Sequence, residues 1–373
     1  MITASHNPKQ FNGFKFGIGY SETMLTQDII EFRELVNSGK FITKQPKGKH
    51  IQKNIKEEYI NDLFRRIGPI KKFKVVVDAC ASTPGIFLPD IFKKAGCQVI
   101  EQNTKPDSNF PVGVADPTEK EVQQRLADRV VKENADIGFS YDTDGDRVGI
   151  VDNKGQLIWN DTLVSIFSKD ILDYLPGSKI VFNTLCSKQV IDVITQSGGT
   201  PIMWLTGHSF IKAKVRDERA PFGGELSGHF YFVDNFFGHD DGAIASLRLL
   251  AYLTRKNKSL SQIIDELPHY FSSPEIKLGC ADNIKFKLVS KVIGKEIKKI
   301  YPKAKYIEID GVRMDTEKEM VIIRASQNGP YITVKFEAKS ETEYKKLKKK
   351  ISQILHKIKE IDFKSGVNTA SLE

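Results

Sequence analysis

The chain has 373 residues, of which 40% are hydrophobic and 28% are charged, a composition typical of a globular protein with several domains. It contains no run of about 18 apolar residues, which excludes a membrane-spanning helix, and its first residues lack the basic and apolar pattern of a secretory signal. The formal net charge is +9. The four cysteines lie far apart, so neither a disulfide framework nor a zinc site is expected, and this cysteine pattern favours a reducing cytoplasm.

The chain opens on a polar segment, Thr3-Ala-Ser-His-Asn-Pro8, followed by Phe11-Asn-Gly-Phe-Lys15. A serine between small and polar residues, with a histidine and a lysine nearby, is typical of a nucleophile loop with acid/base partners. Clusters of this composition are also common in ordinary turns, so the segment alone does not decide its function. One helix is predicted near Asp28–Val36, and about 55 residues are too few for a full domain.

Two segments of similar pattern follow. In the first, strand Lys74–Asp78 leads through a loop and a helix to strand Gln98–Ile100; in the second, strand Ile180–Asn183 leads likewise to Pro201–Trp204. Each pattern predicts a βαβ unit, and two domains of one type in tandem explain the repeat. A third strand, Ile137–Ser140, runs directly into an acidic loop, at the carboxyl end where such sheets bind ligands.

The acidic loop, Asp142-Thr-Asp-Gly-Asp-Arg147, gives the sharpest signal. Three carboxylates at every second position can converge on one hard cation such as Mg²⁺, and the glycine allows a tight turn. A calcium EF-hand begins in the same way, but it requires glycine and glutamate where this chain has Arg147 and Asn153. A solvated acidic turn is the remaining alternative. An arginine beside the carboxylates indicates that the metal site also meets a phosphate.

Two more motifs lie in the second half of the chain. The glycine-rich loop Gly223–His229 presents groups that suit sugar hydroxyls, although an ordinary turn would explain it alone. The segment Arg324–Gly329 combines arginine, hydroxyl, amide and backbone N–H groups that can hold a phosphate. It lies in a predicted hairpin of Val321–Arg324 and Tyr331–Glu337, and a lysine-rich amphipathic helix around Glu343–Ile351 follows.

Together and in this order, these four motifs resemble the α-D-phosphohexomutase superfamily, in its phosphomannomutase/phosphoglucomutase branch. The resemblance implies an α/β protein with tandem βαβ-type mixed-sheet domains around a central cleft and a C-terminal α+β domain. It implies four domains: residues 1–53 with the serine loop, 54–156 with the metal loop, 157–270 with the sugar loop and 271–373 with the phosphate loop. By this likeness the enzyme is an isomerase that interconverts hexose 1-phosphate and hexose 6-phosphate through a phosphoserine.

The resemblance also assigns roles to residues. The implied catalytic residues are Ser5, which carries the phosphate, Lys15 as general acid/base, His6 and Arg147. The implied metal ligands are Ser5, through its phosphate, and Asp142, Asp144 and Asp146. The implied substrate-binding residues are His208, Glu225, Ser227, His229, Arg324, Ser326, Asn328 and Gly329.

The implied cofactors are Mg²⁺ and, as activator, glucose 1,6-bisphosphate. The implied partners are mannose or glucose 1- and 6-phosphates. No membrane partner is expected, and no nucleic-acid partner, because the basic charge comes without a recognisable binding motif. A basic nucleic-acid or surface-binding protein is the alternative of a different class.

The sequence departs from the family pattern at three places. Leu185 stands where a substrate-contacting lysine is usual, and the phosphate loop reads Gln327-Asn-Gly329 instead of Asn-Thr-Thr/Ser. Family members also carry about 100 residues before the serine loop, the size of a small domain. We therefore expect either a working mutase, with another polypeptide or upstream segment supplying that part, or a truncated, catalytically impaired fragment or pseudoenzyme of the same family.

Overall fold

The structure, a computed structural model, describes residues 1–42, 44–327 and 329–373. Within those ranges the strands form four sheets that follow one another along the chain. The first sheet is a short antiparallel pair, β1 (Gly17–Gly19) and β2 (Glu22–Thr23). Helix α1 (Thr26–Ser38) follows it and has no buried residue, so the head of the chain contributes little to the apolar core.

The second sheet begins after helix α2 (Lys56–Arg66). Its strands are β3 (Lys74–Asp78), β4 (Gln98–Gln102), β5 (Ile137–Tyr141), β6 (Val148–Asp152) and β7 (Leu157–Ile158). They lie in the order β4-β3-β5-β6-β7, parallel from β4 to β5 and antiparallel from there to β7. Helices α3 (Leu88–Lys94) and α4 (Lys120–Glu133) make the crossovers. The apolar strands β3 and β5 are buried, as expected for parallel strands covered on both faces.

The third sheet repeats this plan. Its strands are β8 (Lys179–Asn183), β9 (Thr200–Trp204), β10 (Phe222–Gly224) and β11 (Phe230–Phe232), in the order β11-β10-β8-β9. The first three strands are parallel, and β11 is antiparallel to β10. Its helices are α5 (Asn160–Leu172), α6 (Lys188–Gln196), α7 (His208–Asp217), α8 (Gly242–Lys256) and α9 (Leu260–Asp265). The predicted tandem repeat is therefore present.

The fourth sheet is antiparallel and has seven strands. They are β12 (Phe271–Ser272), β13 (Ile276–Gly279), β14 (Lys305–Ile307), β15 (Val312–Asp315), β16 (Glu319–Ala325), β17 (Tyr331–Ala338) and β18 (Asp362–Val367). A helical stretch runs through α10 (Lys285–Lys287), a π-helical turn and α11 (Gly294–Ile300), and α12 (Glu341–Leu355) is the predicted lysine-rich helix. Strand β18 was not predicted, because the sequence pattern after that helix indicated no further element of the domain.

Among the described residues, two large clusters of buried apolar residues hold these layers together, beside three smaller ones. One cluster combines residues of both βαβ sheets, such as Phe139 and Phe222, with Ile322 from β16. The other lies within the C-terminal unit and includes Val334 and Leu347. The expected fold class, two mixed α/β sheets followed by an α+β unit, is confirmed. In the described part of the chain, no helix is both long and apolar enough to cross a membrane.

Candidate active site

The Ser5 loop is a tight loop closed by the backbone. Thr3 N donates to Gly13 O at 3.0 Å and Lys15 N donates to Met1 O at 2.9 Å, which brings the two ends of the segment together. Ser5 has φ 51°, a left-handed conformation that is uncommon for a residue with a side chain and that concentrates at functional sites. The loop therefore holds the predicted nucleophile in one strained, half-buried position.

The acidic loop follows β5 at the carboxyl end of its sheet. Gly145 has φ 75°, and a Cβ there would meet the Pro84 ring at 3.0 Å, so the turn needs a glycine. The backbone of Gly242, at the start of α8, lies directly against it, with Gly242 N donating to Gly145 O at 2.9 Å. The loop therefore lies between the second sheet, which it follows, and the first turn of α8.

The three carboxylates converge as the sequence predicted. One oxygen from each of Asp142, Asp144 and Asp146 lies within 4.8 Å of the others. Asp144 Oδ1 and Asp146 Oδ1 are buried and have no hydrogen-bond partner among the described residues. Buried orphan oxygens are costly, and a hard divalent cation is the partner that such a set of oxygen donors suits.

The serine loop and the acidic loop meet, although they are far apart in sequence. Ser5 Oγ donates to Asp142 Oδ2 at 3.3 Å, and it lies 3.1 Å from His6 Nδ1. Thr3 Oγ1 donates to Asp144 Oδ2 at 3.0 Å. The predicted nucleophile thus lies beside the predicted metal ligands.

Lys15 provides the cation at this meeting point. Its Nζ donates to Asp144 Oδ2 at 2.7 Å and also bonds Asp146. Burial opposes the positive charge, but the attraction of Asp146 and Asp144 outweighs it and raises the pKa of Lys15 above its ordinary value. Lys15 is therefore charged and neutralises part of the acidic loop.

Arg147 is buried behind the acidic loop. Its Nε donates to Asp142 Oδ2 at 3.0 Å and its Nη1 donates to Asp116 Oδ1 at 3.2 Å, while Nη2 has no partner among the described residues. Burial, and then the charge of Arg147, lower the pKa of His6. The sequence analysis did not find Asp116, which orients this arginine.

The glycine-rich loop between β10 and β11 brings His229 to the same place. His229 Nδ1 lies 2.9 Å from Asp240 Oδ2 and 3.9 Å from Asp146 Oδ1. Burial opposes protonation of His229, but Asp146 and Asp240 outweigh it and raise its pKa to about 9. The ring of His208 lies 5.8 Å away, and burial is the main cause that lowers its pKa to about 4. Asp240 is a second site residue that the sequence analysis did not find.

Glu225 and Ser227 occupy different environments in this loop. Glu225 is buried, and both of its carboxylate oxygens have protein partners: Gly207 N donates to Oε2 at 3.0 Å and Tyr231 OH donates to Oε1 at 2.8 Å. Burial raises the pKa of Glu225. Ser227 is half-buried in the turn itself. Glu225 thus holds the backbone next to His208 in place.

The fourth motif lies at the end of β16. Arg324 Nε donates to Asp310 Oδ2 at 2.9 Å, and buried Lys285 donates to Gly329 O at 2.8 Å. Ser326 is buried, and Asn328 lies outside the described residues. Among the described residues, Arg324 has no hydrogen bond to the serine loop or the acidic loop. The structure therefore joins the first three motifs directly and the fourth only through intermediate residues.

Leu185 is a core residue in this structure. Its side chain is 3% exposed and belongs to the apolar cluster shared by the two βαβ sheets. Its carbonyl accepts a hydrogen bond of 3.2 Å from Lys335 Nζ, which also donates to Asp161 Oδ2 at 2.6 Å. The nearest cation to this backbone thus comes from the C-terminal sheet.

Comparison with known proteins gives a consistent result. Profiles of the phosphoglucomutase/phosphomannomutase α/β/α domain II and domain III match residues 57–155 and 159–271. A phosphomannomutase/phosphoglucomutase of Pseudomonas syringae pv. tomato is 35% identical over 93% of this chain and 73% of the relative. The chain belongs to the phosphoglucomutase/phosphomannomutase family.

Other members of this family support the assignment. A phosphomannomutase of Methanocaldococcus jannaschii is 32% identical over 97% of this chain and 79% of its own length. The crystal structure of a phosphoglucomutase/phosphomannomutase family protein from Burkholderia thailandensis superimposes with a TM-score of 0.85 at 30% identity, covering 95% of this chain and 75% of that one. Both the fold and the family predicted from the four motifs are thereby confirmed.

Proposed function

We propose that this member of the family is a phosphomannomutase/phosphoglucomutase that interconverts hexose 1-phosphate and hexose 6-phosphate through phosphorylated Ser5. The observation that carries the proposal is the convergence of Ser5 and Lys15 on the acidic loop. These residues lie 137 and 129 positions from their carboxylate partners, Asp142 and Asp144, and folding brings them within hydrogen-bond distance. A nucleophile, a cation and a metal-type carboxylate set in one place are the equipment of phosphoryl transfer.

In the proposed reaction, the phosphoryl group passes from Ser5 to the bound sugar. An oxygen of the bound sugar attacks the phosphorus on Ser5, the bond between phosphorus and Ser5 Oγ breaks, and a hexose 1,6-bisphosphate forms. The hydroxyl proton leaves the sugar, and Ser5 Oγ takes up a proton. We assign this proton exchange to Lys15, with His6 beside the serine oxygen. After the bisphosphate reorients, its other phosphate returns to Ser5, which explains why glucose 1,6-bisphosphate would act as an activator.

We propose that Asp142, Asp144 and Asp146 would hold Mg²⁺ together with an oxygen of the Ser5 phosphate. The two buried orphan oxygens of Asp144 and Asp146 support this assignment. When bound, the cation would supply positive charge to the phosphoryl group being transferred. Arg147, whose Nη2 lacks a partner among the described residues, would add a second positive group.

We assign the rest of the substrate to the other two motifs. His208, His229 and Ser227 would contact the sugar, with Glu225 in the same loop. The phosphate that does not react would be held by Arg324, Ser326, Asn328 and Gly329. Guanidinium and backbone N–H groups suit a dianionic phosphate, and the same grip would serve both orientations of the bisphosphate.

The domain boundaries and the location of the protein are also proposals. We divide the chain into residues 1–53, 54–156, 157–270 and 271–373. The separate sheets support this division except at β7 (Leu157–Ile158), which pairs with β6 of the second sheet. We place the protein in the cytoplasm. All four cysteines are free and buried, which suits a reducing compartment.

A coupled assay tests the proposed function. The chain is given glucose 1-phosphate or mannose 1-phosphate, with Mg²⁺ and glucose 1,6-bisphosphate, and formation of the 6-phosphate is followed. We expect turnover by the parent and by Ser38→Ala, a control at an exposed serine, and no turnover by Ser5→Ala. Equal rates for Ser5→Ala and the parent would remove Ser5 from the mechanism. A parent that accepts phosphate on Ser5 but never forms hexose 6-phosphate would instead be the impaired member of the family.

A further inference from the structure

Asp310 is a buried carboxylate that none of the sequence motifs includes. It lies just before β15 and is 8% exposed. The next residue, Gly311, has φ 89°, and a Cβ there would lie 2.3 Å from Ile323 O and 2.7 Å from Arg324 Cα. Only a glycine permits this close approach, so the backbone itself holds Asp310 against Arg324.

One oxygen of Asp310 accepts three hydrogen bonds from three different segments. The donors are Arg324 Nε at 2.9 Å, Thr184 Oγ1 at 2.9 Å and the backbone N–H of Thr206 at 3.0 Å. Thr184 follows β8 and Thr206 follows β9, so both lie at the carboxyl ends of parallel strands. A single carboxylate thus joins the C-terminal sheet to the edge of the third sheet.

The segments joined by Asp310 are parts of the cleft. Thr206 lies two residues before His208, and the next backbone N–H along, that of Gly207, is held by Glu225. Arg324 begins the phosphate motif. Because the ion pair uses Nε of Arg324, the guanidinium plane is oriented while its two terminal amino groups take no part in that hydrogen bond. A guanidinium held in this way is pre-oriented for bidentate contact with a phosphate.

We infer that Asp310 is a positioning residue: it orients Arg324 toward the non-reacting phosphate of the hexose phosphate and fixes that phosphate site relative to the His208 loop. The inference rests on the proposed function and deepens it. A hexose bisphosphate that reorients must present either phosphate to the same site, so the distance between the phosphate site and the reacting site has to be the same in both half-reactions. The three hydrogen bonds to Asp310 link the two sheets at this point and favour one such distance when they are made.

The inference predicts a specific pattern of loss. Asp310→Asn keeps the size of the side chain but weakens the charge-assisted hydrogen bond to Arg324. We expect the Kd for glucose 6-phosphate, measured by calorimetry, to rise about tenfold, and the KM for glucose 1-phosphate to rise equally, while kcat falls less than about threefold, because ground state and transition state lose the same contact. Thr184→Val, which removes one neutral donor, should raise the Kd by about threefold at most.

Two controls separate positioning from general stabilisation. Asp170→Asn removes another buried carboxylate paired with arginine, outside the cleft, and should leave the Kd unchanged. In an Arg324→Ala background, Asp310→Asn should add almost nothing to the loss of affinity, because the group it orients is already gone.

Four outcomes decide the matter. A Kd for glucose 6-phosphate that is unchanged or lower in Asp310→Asn would overturn the inference and leave the proposed function intact. It would mean that the carboxylate of Asp310 only repels the substrate phosphate and does not orient Arg324. Loss of affinity that persists in the Arg324→Ala background would also overturn it. A parent that neither binds nor turns over hexose phosphates would refute the proposed function and this inference together. A tenfold rise in the Kd that Asp310→Asn causes only when Arg324 is present supports both the inference and the proposed function.

Discussion

Replacing Lys15 by methionine is the sharpest perturbation of the site, because it removes one charge and little volume. Lys15 Nζ bonds Asp144 at 2.7 Å and also Asp146, and its side chain is 25% exposed. Those two carboxylates are also candidate metal ligands. Lys15 and a bound cation therefore compete for the same negative charge. We expect Lys15→Met to lower the stability of the metal-free protein and to lower the Kd for Mg²⁺.

The magnitudes follow from the burial of the pair. A fully buried ion pair costs about 3–5 kcal/mol to break and an exposed one less than about 1 kcal/mol, so a quarter-exposed pair should cost about 2 kcal/mol. For a cooperative unit of about 150–250 residues this lowers the thermal midpoint by about 4–8 °C without metal. Repulsion between a unit charge and Mg²⁺ about 4 Å apart is about 2 kcal/mol even at the dielectric constant of water, so the Kd for Mg²⁺ should fall at least tenfold.

Calorimetric titration with Mg²⁺ and thermal unfolding with and without Mg²⁺ test this expectation. Lys56→Met is a matched control, since Lys56 also bonds an aspartate, Asp90, at 2.6 Å and is 32% exposed, but lies away from the site. Phosphoryl transfer by Lys15→Met should fall at least about a hundredfold, the usual contribution of a general acid/base group. A Kd for Mg²⁺ equal to that of the parent, with the same midpoint loss at all metal concentrations, would refute the reasoning.

Three further predictions follow from single residues. Leu185→Ala should lower the free energy of unfolding by about 2–4 kcal/mol in urea denaturation, and Leu185→Met by less than about 1.5 kcal/mol, because the side chain fills the core; equal losses would contradict this. His208 is buried among Asp240, His229, Lys15 and Lys212, and its pKa of about 4 in the folded protein means that the unfolded chain binds the proton more strongly between pH 6.5 and 4. The free energy of unfolding should therefore fall by up to about 3 kcal/mol as the pH falls over this range. A His208→Gln variant that loses stability equally over this range would exclude His208 as the cause. Gly145→Ala should lower the thermal midpoint and weaken Mg²⁺ binding, because φ 75° strains a residue with a Cβ and that Cβ would lie only 3.0 Å from the Pro84 ring; calorimetry that finds parental affinity would contradict the turn geometry.

The elements that the sequence predicted are those with a strong local signal. The strands Lys74–Asp78 and Lys179–Asn183 were predicted within one residue, because each is a short apolar run ending in a polar residue. Strand β18 was missed, because its residues Asp362–Val367 are mostly exposed and polar and show no clean alternation. It forms because β13 offers it a free edge, which is a property of the folded sheet.

The residues of the candidate site also differ in whether the sequence could predict them. The four motifs were predictable because their residues are neighbours in sequence. Asp116, Asp240 and Asp310 were not, since each is a single carboxylate whose partner, Arg147, His229 or Arg324, only comes close on folding. Asp240 had the most local signal, because it lies in a short run of glycine, histidine and aspartate residues, Gly238-His-Asp-Asp-Gly242, not far after the glycine-rich loop.

The central claim is that Ser5 accepts and returns a phosphoryl group beside the acidic loop. Intact-mass measurement of the chain after incubation with glucose 1,6-bisphosphate and Mg²⁺ tests it most directly. The account predicts the added mass of one phosphoryl group on the parent, its location on Ser5 by peptide fragmentation, its absence from Ser5→Ala, and its removal when hexose 6-phosphate is then supplied. An unmodified parent, or equal labelling of parent and Ser5→Ala, would contradict the account.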